Sequence, residues 1–105
     1  MDSFPIFPGG DIELRHFIGE NLIYNKICSE RHNSQNIKIF VGIVIGINGE
    51  IIEKRIFSDF SLHYCKEMHD ECFRVIDLMP KWKPAIKNGE YVNCYYMIPI
   101  TISVN

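Results

Sequence analysis

Apolar residues occupy every odd position from Ile37 to Ile47, which predicts a β-strand with one buried face. The dipeptide Asn48-Gly49 follows and favours a two-residue type I′ hairpin turn, because both residue types tolerate positive φ angles. We therefore expect the chain to reverse and to return as a second strand over Ile51–Phe57. The neighbours Ile51 and Ile52 cannot share one face of this strand, so we expect a bulge or a twisted edge there.

A third strand is predicted near the C-terminus, after a turn at Asn88-Gly89. Apolar side chains occupy the even positions from Val92 to Val104, and several polar ones lie between them. Pro99 lies within this run, and a proline has no N–H to give to a neighbouring strand. We therefore place the third strand at an edge of the sheet, with Tyr95 and Met97 on the face opposite the apolar set.

Helical spacing of apolar residues predicts two helices. The first spans about Asp11–Leu22, with Asp11 as its N-cap, and a polar loop over Asn25–Asn36 follows it. The second begins after one of several candidate N-caps and ends at Pro80. Its candidate N-caps are Ser58, Asp59 and Ser61, and its apolar stripe consists of Leu62, Cys65, Met68, Cys72, Val75, Ile76 and Met79.

The order helix, strand, strand, helix, strand, with one apolar face per strand, defines an α+β fold. We expect a two-layer sandwich in which two helices pack on a three-stranded antiparallel sheet. A length of 105 residues without an internal repeat fits a single domain over residues 1–105. Residues 1–10 are expected to form an irregular N-terminal segment.

The net charge and the hydropathy of the chain argue against two classes of partner, nucleic acids and membranes. The net charge is −2 and the pI is about 6.0, so no basic excess exists to bind a nucleic acid or an anionic membrane. The longest mostly apolar stretch, Ile37–Ile47, is shorter than the roughly 20 residues that cross a bilayer. Since residues 1–10 do not resemble a signal peptide either, we expect no signal or membrane-inserting segment in this sequence.

Candidate chemistry lies on the second predicted helix, where Cys65, His69 and Cys72 share one face at i, i+4 and i+7. A metal site is one interpretation, but the same face is otherwise apolar, so we expect the cysteines to pack as small hydrophobic side chains. The sequence contains no cysteine framed by glycines, the pattern that would indicate a nucleophile. We therefore expect that the chain is not an enzyme and that it binds no metal or other cofactor. The acidic residues expected on the exposed face of this helix are Glu67, Asp70 and Glu71.

Four cysteines, at positions 28, 65, 72 and 94, allow three pairings. If Cys65 and Cys72 lie on one helix they are about 10 Å apart, which is beyond the reach of a disulfide. Free buried thiols are therefore the expected state, and this state suits a reducing compartment.

Short motifs occur along nearly the whole chain: Phe7-Pro8-Gly9-Gly10, Phe17-Ile18, Asn21-Leu22-Ile23-Tyr24, Asn48-Gly49 and Phe73-Arg74-Val75-Ile76. The most specific is a tryptophan between paired prolines in Met79–Pro84, followed by Asn88-Gly89 and Ile98-Pro99-Ile100. Through these residues the chain resembles the C-terminal domain of the energy transducer TonB, in particular its Bacteroidetes type.

The resemblance implies a periplasmic module that captures the TonB box, a short N-terminal segment of an outer-membrane receptor, as an added β-strand. It also implies that the module couples inner-membrane energy to transport when it is joined to a membrane anchor. We place the added ladder between Tyr91 and Ile98. The residues expected to contact the partner are Tyr91, Asn93, Tyr95 and Met97. The residues expected to shape the motif are Pro80, Trp82, Pro84, Asn88, Gly89 and Pro99.

Two alternatives remain open at this point. The same strand edge could pair with its own copy, which would make the chain a free-standing homo-oligomeric assembly or signalling domain. Trp82 could be an exposed stacking platform, but the flanking prolines favour a buried anchor that fixes the exit of the second helix to the sheet.

Overall fold

The computed structural model describes residues 1–23, 37–59 and 65–102, and it confirms the α+β class. These residues form two helices and five strands: α1 (Asp11–Asn21), β1 (Ile37–Ile45), β2 (Ile51–Asp59), α2 (Lys66–Asp77), β3 (Ala85–Lys87), β4 (Glu90–Val92) and β5 (Cys94–Ile102). The strands β2, β1 and β5 form one antiparallel sheet, whereas β3 and β4 form a small separate one.

The hydrophobic core lies between the two helices and the larger sheet. From β1 the core takes the odd-numbered residues 39 to 45, and from β5 it takes Ile98 and Ile100, with Tyr96 packed against them, which confirms the faces expected from the alternation of apolar positions. The buried cluster consists of Phe7, Leu14, Ile39, Val41, Ile43, Ile45, Cys65, Met68, Cys72, Ile76, Trp82, Ile98 and Ile100. Helices on one side and a sheet on the other make the two layers of the predicted sandwich.

The central strand of the larger sheet is β1, because it pairs with β2 on one side and with β5 on the other. Its pairing with β5 runs from Ile37–Ile102 to Ile45–Cys94 without a register shift. The prediction that the first strand is central and that the third lies at an edge is therefore confirmed.

The strand β2 forms the opposite edge, and its pairing with β1 shifts register twice. One shift leaves Phe57 opposite no residue of β1, and the other does the same to Ile52. Both extra side chains are more than half exposed, and both mark β-bulges, which bend a strand locally. The predicted irregularity is confirmed, since the bulge at Ile52 lets Ile51 and Ile56 both pack against the core.

The predicted start of the third strand at Val92 is wrong. Val92 belongs to β4, the chain leaves the ladder at Asn93, and β5 begins at Cys94. The cause is a tight hairpin between β3 and β4 at Asn88-Gly89, whose residues have φ angles of 54° and 78°. Two positive φ angles define a type I′ turn, and this turn closes a short ladder that competes with one continuous strand.

The N-terminal segment pairs with this small hairpin, so it is more regular than expected for residues 1–10. Antiparallel bridges join Ser3 to Ile86 and Ile6 to Lys83. The Ile86 N–H donates to the Ser3 carbonyl at 3.0 Å, and the Lys83 N–H donates to the Ile6 carbonyl at 2.8 Å. These bonds fix the N-terminal segment that leads into α1.

The hairpin between β1 and β2 does not have the predicted two-residue turn. The Gly49 N–H donates to the Gly46 carbonyl at 2.9 Å, and the Gly46 N–H donates to the Glu50 carbonyl at 2.8 Å. In this stretch only Gly49 has a positive φ, 86°, which fits a three-residue loop that ends in a glycine bulge. A Cβ at Gly49 would collide with the carbonyl oxygen of Trp82, so the hairpin packs tightly on the chain after α2.

Both helices form, and each begins differently from the prediction. The N-cap of α1 is Gly10, and Asp11 is the first helical residue. The positive end of the helix dipole stabilises the negative charge of Asp11 at this position. The cap of α2 is Cys65, because Ser58 and Asp59 are taken up by β2. The predicted loop Asn25–Asn36, the candidate cap Ser61 and the strand end Val104 lie outside the described residues.

Candidate peptide-binding edge

The outer edge of β5 is the longest regular row of backbone groups that the described residues leave without a neighbouring strand. All nine residues of β5 pair with β1 on the inner side, and within the described ranges no strand pairs on the outer side. Such an edge can accept another strand, because its N–H and C=O groups point sideways in the plane of the sheet.

The position of Pro99 shows which backbone N–H groups of β5 point away from β1. In an antiparallel ladder the residues alternate between bonding inward and bonding outward, and a proline can only occupy a position that bonds outward. Because Pro99 lies opposite Phe40 in an unbroken ladder, the even-numbered residues hold β5 to β1. The N–H groups of Tyr95, Met97 and Thr101 therefore face the open edge.

The structure brings only two of the four predicted partner-contacting residues onto this strand. Tyr95 and Met97 lie on β5, whereas Tyr91 lies on β4 and Asn93 lies between the two strands. Tyr95 is 44% exposed, and its hydroxyl lies over Gly42, where a Cβ would collide with it. Tyr95 thus covers bare backbone on the open face of the sheet and still presents part of its ring beside the edge.

A groove of about 410 Å³ runs between α1 and β5 on the helix side of the sheet. Its apolar lining comes from one stripe of α1 and from the core-facing residues of β5. The lining residues are Asp11, Leu14, Arg15, Ile18, Gly19, Leu22, Tyr96, Ile98, Pro99, Ile100 and Thr101. The sequence did not predict this groove, because only the relative position of α1 and β5 opens it.

Beneath the groove lies a cluster of aromatic rings centred on Trp82. The Trp82 ring makes edge contacts with Phe7 and Tyr96 at centroid distances of 5.5 and 5.2 Å, and Phe7 also contacts Phe17 at 5.5 Å. Trp82 is 3% exposed, so the prediction that it is buried, and not an exposed stacking platform, is confirmed. Pro80 and Pro84 flank it, and Pro80 follows the end of α2, so the anchor fixes this exit beneath β5.

Tyr96 connects the aromatic cluster to the start of α1. Its hydroxyl donates to Asp11 Oδ1 at 3.4 Å. Burial raises the pKa of Tyr96, and the neighbouring Asp11 carboxylate adds to the rise, whereas Arg15 opposes it. Asp11 and Arg15 therefore place opposite charges near one end of the groove, around a hydroxyl that stays neutral at physiological pH.

The two helices are joined by an ion pair that the sequence did not reveal. Glu71 was expected on the exposed face of α2, but its carboxylate accepts a hydrogen bond from the Ile23 N–H at 2.6 Å. Arg74 donates to Glu71 and also to the Asn21 carbonyl at 2.6 Å, which is at the C-terminal end of α1. The Arg74 hydrogen bond holds the pKa of Glu71 below its usual value, against the effect of burial. This pair fixes α1 relative to α2.

The face of α2 with Cys65, His69 and Cys72 is structural in every described contact. Cys65 is disulfide-bonded, so the expectation of a free thiol is wrong there; Cys72 and Cys94 are free, and Cys28 lies outside the described residues. His69 Nε2 lies 2.6 Å from Asp59 Oδ2 and links α2 to β2. Burial raises the pKa of Cys72 to about 12, which makes its thiol a poor nucleophile.

Among residues 1–23, 37–59 and 65–102, no group of three potential metal ligands is close enough to hold an ion, and no helix has the length and apolar character to cross a membrane. Comparison of the chain with family models, curated proteins and solved structures gave no match. The resemblance to the TonB C-terminal domain thus stays a prediction from the sequence motifs.

Proposed function

We propose that this chain is a peptide-binding module that accepts an extended segment as a fourth strand along the outer edge of β5. Following the sequence motifs, we further propose that the segment is the TonB box of an outer-membrane receptor. The single observation that supports the first step is the regular edge of β5, which keeps one register over nine residues. Addition of a strand to such an edge is a common mode of peptide recognition.

The backbone of β5 offers a short ladder. Tyr95 and Met97 each present one N–H and one C=O, and Pro99 presents a carbonyl alone. These five bonds at about 0.5–1.5 kcal/mol net each give roughly 2.5–7.5 kcal/mol, from which the cost of ordering a free peptide is subtracted. Since a millimolar dissociation constant already corresponds to about 4 kcal/mol, the backbone alone gives weak binding, and side chains must supply the rest.

The proposed location is the periplasm, with the domain joined to a membrane anchor that transmits inner-membrane energy. The disulfide at Cys65 supports this location, because such bonds persist in oxidising compartments and are rare in the cytosol. In this proposal the energy for transport reaches the receptor as a mechanical force on the bound segment. The domain itself binds that segment and catalyses no reaction.

The proposal is tested by titrating a peptide that carries a receptor's TonB box into isotope-labelled protein and following the backbone amide shifts. We expect the shifts to concentrate on Tyr95–Thr101 and on the facing side of α1. The matched control is the same peptide with a proline at its centre, which removes one N–H and should weaken binding. Shifts confined to β2 or to the surface of α2 would contradict the proposal.

The homo-oligomeric alternative uses the same edge and is separated by one further measurement. If β5 pairs with its own copy, the β5 amide shifts will depend on protein concentration without any peptide, and sedimentation will detect a dimer. A protein that stays monomeric and responds only to the peptide supports capture of a separate partner.

A further inference from the structure

We infer that the groove between α1 and β5 is the site that reads the partner's side chains, and that it takes small branched aliphatic residues at alternate positions of the added strand. This inference rests on the proposed function, because it assumes that a strand binds at the β5 edge. It adds what the backbone ladder lacks, namely a preference for particular peptides.

The pleat of the sheet determines which side chains of the partner enter the groove. Neighbouring residues of adjacent strands share a face of the sheet, whether the strands are parallel or antiparallel. Ile98 and Ile100 face the helix layer and lie at the groove. The partner residues beside them must therefore point into the same layer, directly under α1. These residues are two positions apart in the peptide.

The chemistry of the groove selects aliphatic side chains. Leu14, Ile18 and Leu22 form the wall on α1, and the β5 residues form the opposite wall. Burying apolar side chains between such walls is favourable, whereas a charged side chain there would lose its hydration. Among the described lining residues the charged ones are Asp11 and Arg15, and their opposite signs give no net preference.

The position of the groove favours a peptide over a separate small molecule. Small-molecule sites combine apolar walls with polar groups that converge on the ligand. Two of the polar side chains in the lining, Asp11 and Tyr96, are hydrogen-bonded to each other at one end of the groove. The long side of the groove instead continues into the backbone edge of β5, which no described strand pairs with, and an added strand fills both at once.

Gly19 gives a direct way to close the groove without disturbing the core. It lies on α1 at the groove, and a Cβ built there meets no atom within 4 Å. Gly19→Leu therefore places a side chain in the empty space, and leucine is a better helix former than glycine. The control is Glu20→Leu, which adds the same side chain at the next, exposed position of α1, outside the groove lining.

The probe is a nine-residue peptide of alternating valine and threonine with a lysine at each end, labelled for fluorescence anisotropy. We expect Gly19→Leu to weaken its binding by about tenfold or more, as expected when a buried aliphatic side chain loses its site. Glu20→Leu should bind like the parent chain. Thermal unfolding should show that Gly19→Leu is at least as stable as the parent.

A second peptide, with alanine in place of valine, makes the result specific to the groove. The parent chain should prefer the valine peptide, and Gly19→Leu should lose that preference. If Gly19→Leu keeps both affinities while the β5 amides still respond, the groove is not the specificity site and only this inference fails. If neither peptide perturbs the β5 amides, the proposed peptide-binding function fails with it.

Discussion

The two edges of the larger sheet, β2 and β5, have the same length but opposite character. Both span nine residues and both pair with β1. Bulges at Ile52 and Phe57 interrupt β2, and charged residues Glu53, Lys54 and Arg55 follow one another along it. The strand β5 keeps a single register with β1 and carries no charged side chain. Bulges and charges are the usual means by which proteins prevent strand addition, so β2 is protected, whereas β5 is left open by residues 1–23, 37–59 and 65–102.

The contacts that support the two edges from the helix side also differ. The β2 edge is tied to α2 by polar contacts, His69 with Asp59 and Lys54 with Asp77. The β5 edge rests on the aromatic cluster around Trp82, and α1 stands far enough from it to leave the groove. A three-stranded sheet can therefore have one edge that resists strand addition and one that accepts it. This happens when the placement of the helices and the register of the strands favour the same edge.

The largest effect is expected from removing the support of the β5 side. Trp82→Ala should lower the free energy of unfolding by about 3–5 kcal/mol, because it leaves a cavity among Phe7 and Tyr96. Chemical denaturation measures this directly. The control Tyr91→Ala, at a position 58% exposed, should change stability by less than about 0.5 kcal/mol. Equal effects of the two substitutions would show that Trp82 is not the anchor.

Gly49→Ala tests whether the β1–β2 hairpin is held against the same anchor. Alanine at a positive φ, with its Cβ directed at the Trp82 carbonyl, should cost about 1–3 kcal/mol. Gly19→Ala is the matched control, since it adds the same methyl group in open space within a helix and should stabilise by about 0.5–1 kcal/mol. A neutral Gly49→Ala would show that the hairpin does not pack on the Trp82 segment.

The dependence of stability on pH compares a buried group of α2, the Cys72 thiol, with a partly buried group of β5, the Tyr96 hydroxyl. The fold holds the Cys72 thiol protonated up to a pKa of about 12, against 9.0 for an ordinary thiol. An unfolded chain releases this proton first, so stability falls as pH rises from 9 towards 12, by about 1 kcal/mol between pH 8 and 10. Tyr96 shifts in the same direction at higher pH. Denaturation curves of Cys72→Ala at the two pH values should lack most of this fall, and an unchanged fall would contradict the buried thiol.

The smallest effect is expected at the protected edge. Asp77→Asn removes the partner of Lys54, but both groups are partly exposed, so the loss should be at most about 1 kcal/mol and should shrink in high salt. Denaturation at low and high salt tests this, with Asp70→Asn as the control within α2. A loss well above that of the control, and independent of salt, would show that β2 depends on this pair more than its exposure suggests.

The sequence allowed the central features of the fold to be predicted, because they depend on local periodicity. The alternation from Ile37 onward places β1 in the centre, and Pro99 places β5 at an edge. The turn geometry at Gly49 and the break at Asn93 escaped prediction, since contacts with the distant Trp82 segment and with the β3–β4 hairpin decide them. The same is true of the candidate site. The alternation of apolar and polar residues predicted which face of the strand carries Tyr95 and Met97, whereas the groove depends on how the helices pack.

The most direct test of the difference between the edges is amide hydrogen exchange of the labelled protein, with and without the TonB-box peptide. In the free protein the amides of Tyr96 and Ile98 should exchange slowly and those of Tyr95 and Met97 quickly, because only the former bond to β1. Saturation with peptide should slow Tyr95 and Met97 and leave β2 unchanged. Slow exchange of these two amides without peptide in a monomer, or protection that appears on β2 instead, would contradict β5 as the receptive edge.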